Sequence, residues 1–175
     1  HITDIFSIAV TSRQILTTSG ASAIKVYTTD SQHEASLTQV ITGAHNIGCH
    51  HIVTSRNGKY AASVGFGGEA KIWTITDSGE WIEEGSIKDG NKAGEIWAIS
   101  LSEDGRYLAS TTYDGRINVW DLLDKRKKIR EFETNGSFGM CIDVSCDGRL
   151  IASGHENGSV YVFNNETGKM IYSLP

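Results

Sequence analysis

The chain has 175 residues, 39% of them hydrophobic, which is enough for one domain with a core of its own. A net charge of −5 and an isoelectric point near 5.6 exclude bulk adhesion to nucleic acid or to an anionic membrane through charge alone. No apolar run approaches the length that crosses a bilayer, helix-type periodicity is scarce, and the single proline is the last residue. The three cysteines, Cys49, Cys141 and Cys146, lack paired spacing and read as buried thiols in a reducing compartment, so a cytoplasmic location is expected.

Taken in order, the sequence predicts short strands in groups of four. The first group falls at 5–10, 14–19, 23–27 and 36–41, and the second at 49–54, 59–65, 70–75 and 81–87. The third falls at 95–101, 106–112, 116–121 and 128–132, and the fourth at 138–144, 150–155, 159–163 and 170–174. The third group is the clearest. Asp104-Gly105 makes a turn, Tyr107 opens a strand, Asp114-Gly115 makes a hairpin, and the next strand closes on Val119-Trp120-Asp121. Asp104-Gly105-Arg106-Tyr107-Leu108-Ala109-Ser110 recurs as Asn57-Gly58-Lys59-Tyr60-Ala61-Ala62-Ser63 and as Asp147-Gly148-Arg149-Leu150-Ile151-Ala152-Ser153. The turn glycines Gly58, Gly105 and Gly148 stand 47 and 43 residues apart, as do the strand ends Ile72-Trp73, Val119-Trp120 and Val162-Phe163. A degenerate first copy ends at Val26-Tyr27, 46 residues before Trp73.

A period in the forties, short strands, glycine turns and a Trp-Asp ending resemble the WD-repeat family. The resemblance implies an all-β propeller in which each copy is a four-stranded antiparallel blade running outward from a central channel. Blade one takes 1–43, blade two 44–90, blade three 91–134 and blade four 135–175. Such propellers most often have seven blades, so four are expected to be part of a larger ring. WD blades are often braced by a buried His, Ser/Thr, Asp and Trp that hydrogen-bond in sequence. Here the set comes in pieces. Blade one keeps His1. Blade two has His45, Ser63 and Trp73, with Gly67 at the Asp position. Blade three has Ser110, Asp114 and Trp120, with Lys92 at the His position. Blade four has Asn135, Ser153, Asn157 and Phe163.

His45, His50 and His51 cluster in sequence, but adjacent residues of a strand point to opposite faces, so structural or surface histidines are the reading and no metal is expected. Cys141 lacks a nucleophile motif. Gly65-Phe66-Gly67-Gly68 lacks the Lys-Ser/Thr and the helix of a phosphate loop and is a hairpin turn. The basic run Lys125-Arg126-Lys127-Lys128, with Arg130, falls on an outer hairpin; a solvated turn is favoured over contact with RNA or an acidic partner. No catalytic constellation, cofactor or small-molecule substrate is expected.

The sharper expectation concerns one mouth of the channel. Two positions per blade should surround it: the start of the inner strand and the residue before the hairpin turn. They hold Phe6, His50, Phe66, Glu95, Trp97, Tyr113, Phe138, Met140 and Glu156. Five are aromatic in a chain that is 9% aromatic, as a protein-docking hot spot requires. The bland alternative is that Trp97 and Phe138 only pack between blades. Phe66 and Tyr113 sit at turns and should be exposed.

Several stretches resemble a narrower group. Residues 1–8, Gly43-Ala44-His45-Asn46-Ile47-Gly48-Cys49-His50-His51, Gly65-Phe66-Gly67-Gly68-Glu69, Lys92-Ala93-Gly94-Glu95-Ile96-Trp97 and Gly154-His155-Glu156-Asn157-Gly158 are similar to the fungal WD-repeat subunit of the superkiller (Ski) complex, whose fission-yeast relative is a meiotic recombination protein. The resemblance implies a scaffold without activity of its own, bound to a tetratricopeptide scaffold subunit and an RNA helicase subunit, with no direct nucleic-acid or membrane contact. That assembly feeds messenger RNA to the cytoplasmic exosome for 3′-to-5′ decay, and some members also act in the nucleus in meiotic recombination. Partner contacts in that family lie on the propeller face around the channel mouth. The runner-up is a substrate-recruiting propeller of a ubiquitin ligase or chromatin complex.

Overall fold

The computed structural model describes residues 1–89 and 96–175. Their sixteen strands make four four-stranded antiparallel sheets, each built from consecutive strands. Blade one holds β1 (Ile5–Val10), β2 (Gln14–Ser19), β3 (Ile24–Thr29) and β4 (Ala35–Ile41). Blade two holds β5 (His51–Thr54), β6 (Tyr60–Val64), β7 (Glu69–Ile75) and β8 (Trp81–Lys88). Blade three holds β9 (Ile99–Leu101), β10 (Tyr107–Thr111), β11 (Ile117–Asp121) and β12 (Lys127–Phe132). Blade four holds β13 (Gly139–Val144), β14 (Leu150–His155), β15 (Val160–Asn164) and β16 (Lys169–Leu174). The inner strands β1, β5, β9 and β13 lie side by side in that order, as blades of a propeller do around its channel.

The repeated heptapeptide is a turn with a fixed internal bond. The Ser102 hydroxyl donates to Asp104 Oδ1 at 2.7 Å, Ser145 repeats this with Asp147 at 2.7 Å, and Ser55 does so with Asn57 at 2.7 Å. The same acceptor oxygens take the backbone N–H two residues on, at Arg106, Arg149 and Lys59. The glycine that follows has a φ of +77° at Gly105, +72° at Gly148 and +70° at Gly58, a region costly for any side chain. Neighbouring turns are also joined: Asn57 N–H donates to Glu103 O, and Glu103 N–H to Cys146 O.

Blades cohere by burying apolar faces against one another, which is why several strands alternate poorly. Leu16, Ile24 and Val26 of blade one meet Ile52, Trp73 and Trp81 of blade two. Ala70, Ile72 and Ile87 meet Ile99, Leu108 and Trp120. Ile117, Val119 and Phe132 meet Ile151, Tyr161 and Phe163. The strand β11, between two blades, is buried throughout, whereas β16 is exposed throughout.

Every outermost strand carries a bulge opposite the same place, between Val26 and Tyr27, Ile72 and Trp73, Val119 and Trp120, and Val162 and Phe163. Blade two's inner strand starts at His51 rather than 49, because Cys49 N–H is drawn off to Ser19 O of blade one. The predicted start of blade three's inner strand at 95 lies outside the described residues.

Two glycines at the same hairpin position separate strain from space. Gly115 (φ +84°) and Gly158 (φ +87°) share a backbone conformation, but a Cβ at Gly115 collides with the Ser137 carbonyl while one at Gly158 meets nothing within 4 Å. Gly158→Ala should lower Tm by about 2–4 °C, the cost of positive φ alone. Gly115→Ala should lower it further; equal shifts in a thermal melt would show that the collision relaxes without cost.

Candidate functional site

Six of the nine positions expected at the channel mouth meet ring to ring. Phe6 comes from β1 and His50 from the residue before β5. Phe66 sits in the β6–β7 turn, Trp97 two residues before β9, Tyr113 in the β10–β11 turn and Phe138 just before β13. Their rings form one row across four blades. Phe6 meets Phe66 edge-on at 5.7 Å, and Phe66 meets His50 at 4.8 Å. His50 stacks on Trp97 at 4.3 Å, Trp97 meets Phe138 edge-on at 5.2 Å, and Phe138 stacks on Tyr113 at 4.3 Å with planes 10° apart. Such pairs hold their geometry beyond simple burial.

Backbone bonds hold three of the rings in place. Trp97 N–H donates to Thr111 O at 2.9 Å, Phe66 N–H to Ile47 O at 3.1 Å, and Glu156 N–H to Phe138 O at 2.9 Å. The Phe66 ring lies on Gly48, where a Cβ would stand 2.9 Å from it. An apolar cleft of about 560 Å³ opens beside the row, bounded by Phe6, Phe66, Trp97, Met140 and Ile142. Both readings of the aromatics have a share. Tyr113 is 57% exposed and Phe66 37%, while Trp97, His50 and Phe138 are half-buried in the packing between blades. Phe6, Met140 and Glu156 are exposed. Glu95 lies outside the described residues.

The histidines are structural, but not as strand alternation would place them. Both His50 and His51 bond to blade three, because His50 precedes the strand instead of lying in it. His50 Nε2 donates to Trp97 O at 3.0 Å, and His51 Nδ1 accepts from Ile99 N–H at 3.2 Å. Burial holds His51 down to about 4, with the neighbouring His50 adding to it, and lowers His50 as well. His45, fully inside, is also held down to about 4, chiefly by burial and then by Lys71. Among the described residues no group of three or more His, Cys, Asp or Glu is arranged to hold a metal. Cys49 is the buried thiol the sequence predicts, pushed up to about 12 by desolvation. Cys141 and Cys146 correct that expectation: both are exposed, on and just after the inner strand β13.

The bracing set survives where its hydroxyl has a partner. In blade two, Trp73 Nε1 donates to Ser63 Oγ at 2.9 Å, and that hydroxyl meets His45 Nε2 at 2.8 Å. In blade one, His1 joins Thr17 and Ser19, each at 2.8 Å. Blade three departs from expectation. The Asp114 carboxylate turns outward to the Thr112 hydroxyl and Arg116, whose guanidinium outcompetes the interior. Ser110 Oγ has no partner among the described residues, Trp120 is buried in the seam with blade two, and Lys92 lies outside them. Blade four uses a residue the sequence reading missed. His155 Nε2 bonds Ser153 Oγ at 2.8 Å, while Nδ1 donates to Ser137 O at 2.7 Å. A histidine two residues after the serine shares its strand face, which was the available signal.

The basic run is a solvated turn only in part, at the exposed Lys125 and Lys127. Lys128 is held by Asp89 and Glu131 at 2.8 and 2.7 Å. Arg130 donates to the carbonyls of Asn165 and Glu166 at 2.9 and 3.0 Å. The Arg126 guanidinium lies against Gly85 of blade two. These cations tie blades together.

The family model for the WD domain, G-beta repeat, matches residues 84–121 and 126–164. Each match starts in one blade's outermost strand and ends with the third strand of the next, so repeat and blade are staggered by one strand. The chain therefore carries WD repeats at these positions. Over 175 residues it is 37% identical to the meiotic recombination protein rec14 of Schizosaccharomyces pombe, a match that takes in 99% of this chain and 56% of that protein. The chain thus spans about half the length of that curated relative.

The buried histidines set an acid limit. A folded-state value of about 4, below the free imidazole value of about 6.5, means the folded form binds fewer protons. The stability from His45 and His51 is therefore complete above pH 6.5 and is lost as the pH falls toward 4. Tm should drop across that window, and His51→Asn, which keeps an acceptor for Ile99 N–H without titrating, should flatten the drop. A pH-independent Tm between 6.5 and 4 would contradict this.

Proposed function

We propose that these residues are four consecutive blades of a seven-bladed, non-enzymatic scaffold whose work is to hold partner proteins at the aromatic mouth. The observation that carries the reading is the unbroken row from Phe6 to Tyr113, assembled from all four blades and flanked by an apolar cleft. WD repeats generally serve protein–protein interaction, and partly exposed aromatics over such a cleft suit an extended segment carrying apolar side chains and an Arg. Glu156, and Glu95 beyond the described residues, would pair with the guanidinium. The ring size is supported by proportion: four blades of seven is close to the 56% of the relative that the chain spans.

The assembly we propose is the superkiller type, with a tetratricopeptide scaffold subunit and an RNA helicase subunit, acting in exosome-dependent messenger RNA decay in the cytoplasm. A nuclear role in meiotic recombination is the second reading, favoured by the likeness to rec14. Affinity purification followed by mass spectrometry tests both. Tetratricopeptide and helicase partners support the first, recombination proteins the second, and cullin or histone partners would replace both with a recruiting subunit of another complex.

Tyr113→Ala and Phe66→Ala should each weaken capture of those partners at least about tenfold, the effect of losing an aromatic anchor. Tm should hold within about 2 °C, because both rings are substantially exposed. Unaltered capture by both variants would remove this face from consideration.

A further inference from the structure

The outermost strands share more than a bulge. One residue follows the bulge at the same register in all four: Gln39, Gly85, Arg130 and Tyr172, opposite Val26, Ile72, Val119 and Val162. At each of the three junctions described, that position is where the blade is fastened to the one after it. The Gln39 amide accepts from Trp81 N–H and donates to Trp81 O, both at 2.8 Å; Trp81 closes the last turn of blade two. Arg130 donates to Asn165 and Glu166 carbonyls in the last turn of blade four. At Gly85 the direction reverses. The position is empty of side chain, and Arg126, from the last turn of blade three, lays its guanidinium 2.6 Å from where a Cβ would be. Three different chemistries join the same two places.

Blade four has the same device with nothing on it. Tyr172 is 60% exposed, and its hydroxyl has no hydrogen bond among the described residues. The apolar positions around it repeat a buried pattern. Val160 and Leu174 face each other across β15 and β16 as Ile117 and Phe132 do across β11 and β12. Ile117 and Phe132 are buried under blade four; Val160 and Leu174 are exposed. The face therefore matches an interface the chain builds three times already.

We infer that Tyr172 is the latch for a fifth blade of the same polypeptide, its ring covering that blade's last turn and its hydroxyl bonding a backbone carbonyl there. The occupant is a WD sheet because each sheet seated on this kind of face here presents Trp73, Trp120 or Phe163 at the end of its third strand, with branched aliphatics beside it. The inference rests on the reading that further blades follow.

The test compares this chain with the polypeptide extended to the full length of its gene. In the extended protein, hydroxyl-radical footprinting should find Tyr172 protected and hydrogen exchange should find β16 slowed, relative to the 175-residue chain. Tyr172→Ala should lower Tm by about 2–4 °C in the extended protein and leave the 175-residue chain unchanged. Arg130→Ala should lower both, since its junction is present in both. Slow exchange in β16 with Tyr172 still fully reactive would overturn the latch while leaving further blades in place. Fast exchange in β16 of the extended protein would overturn both. Concentration-dependent protection of Tyr172 in the 175-residue chain alone would make the face a self-association surface and overturn the inference.

Discussion

Every blade depends on the face it shares with its neighbour. A four-stranded sheet of short strands cannot shield both of its surfaces, so each lends one to the blade before and one to the blade after. The positions are constant. Ile117, Val119 and Phe132 close onto Ile151, Tyr161 and Phe163 as Ala70, Ile72 and Ile87 close onto Ile99, Leu108 and Trp120. At about 1.5–3 kcal/mol for each large side chain fully buried, one seam outweighs any single polar contact in the molecule. Polar groups then set the alignment of what the seams hold together: Gln39 on Trp81, Arg130 on the carbonyls of blade four, Ser100 on Val144 N–H.

The aromatic mouth is a consequence of those seams rather than a separate structure. No blade supplies more than two of its rings. His50 stacks on Trp97 only because the seam between blades two and three brings β5 beside β9, and Phe138 reaches Trp97 only across the next seam. Because its rings pack on one another across blades, a partner seated on the row as proposed would spend little ordering it. Its weakness is acid, since His51 accepts from Ile99 N–H only in its neutral form and burial disfavours the charged ring at both His50 and His51.

What could be read from the sequence was what is local. The Ser-x-Asp-Gly turn closes within five residues, so its copies announced the repeat, and strand ends at Trp73, Trp120 and Phe163 followed at the same spacing. The mouth positions followed from register. What stayed hidden depended on neighbours distant in sequence. Asp114 has the right spacing for a buried bracing role, but Arg116 two residues on captures it at the surface. Arg126 and Arg130 look solvated until adjacent blades put Gly85 and two carbonyls within reach. Cys141 and Cys146 look like ordinary interior thiols, but Cys141 faces the cleft beside the aromatic row and Cys146 lies in an exposed turn against Arg56.

The fate of the reactive side chains bears on what kind of work the molecule does. Chemistry at neutral pH needs ionisable groups that are free to exchange protons with a substrate. Here the histidines of blade two are committed: His45 to Ser63, His50 to a carbonyl and His51 to an amide, all with burial favouring the neutral ring. His155 is spent on Ser153 and Ser137. Among the described residues, Ser102 and Ser145 are spent on turn carboxylates, Ser55 on the Asn57 amide, and Ser63 and Ser153 on imidazoles, while Ser110 has no partner. What the mouth offers outward is ring faces, a thioether, a thiol and a carboxylate, at Tyr113, Met140, Cys141 and Glu156. Those groups suit packing and ion pairing, as the proposed docking role requires.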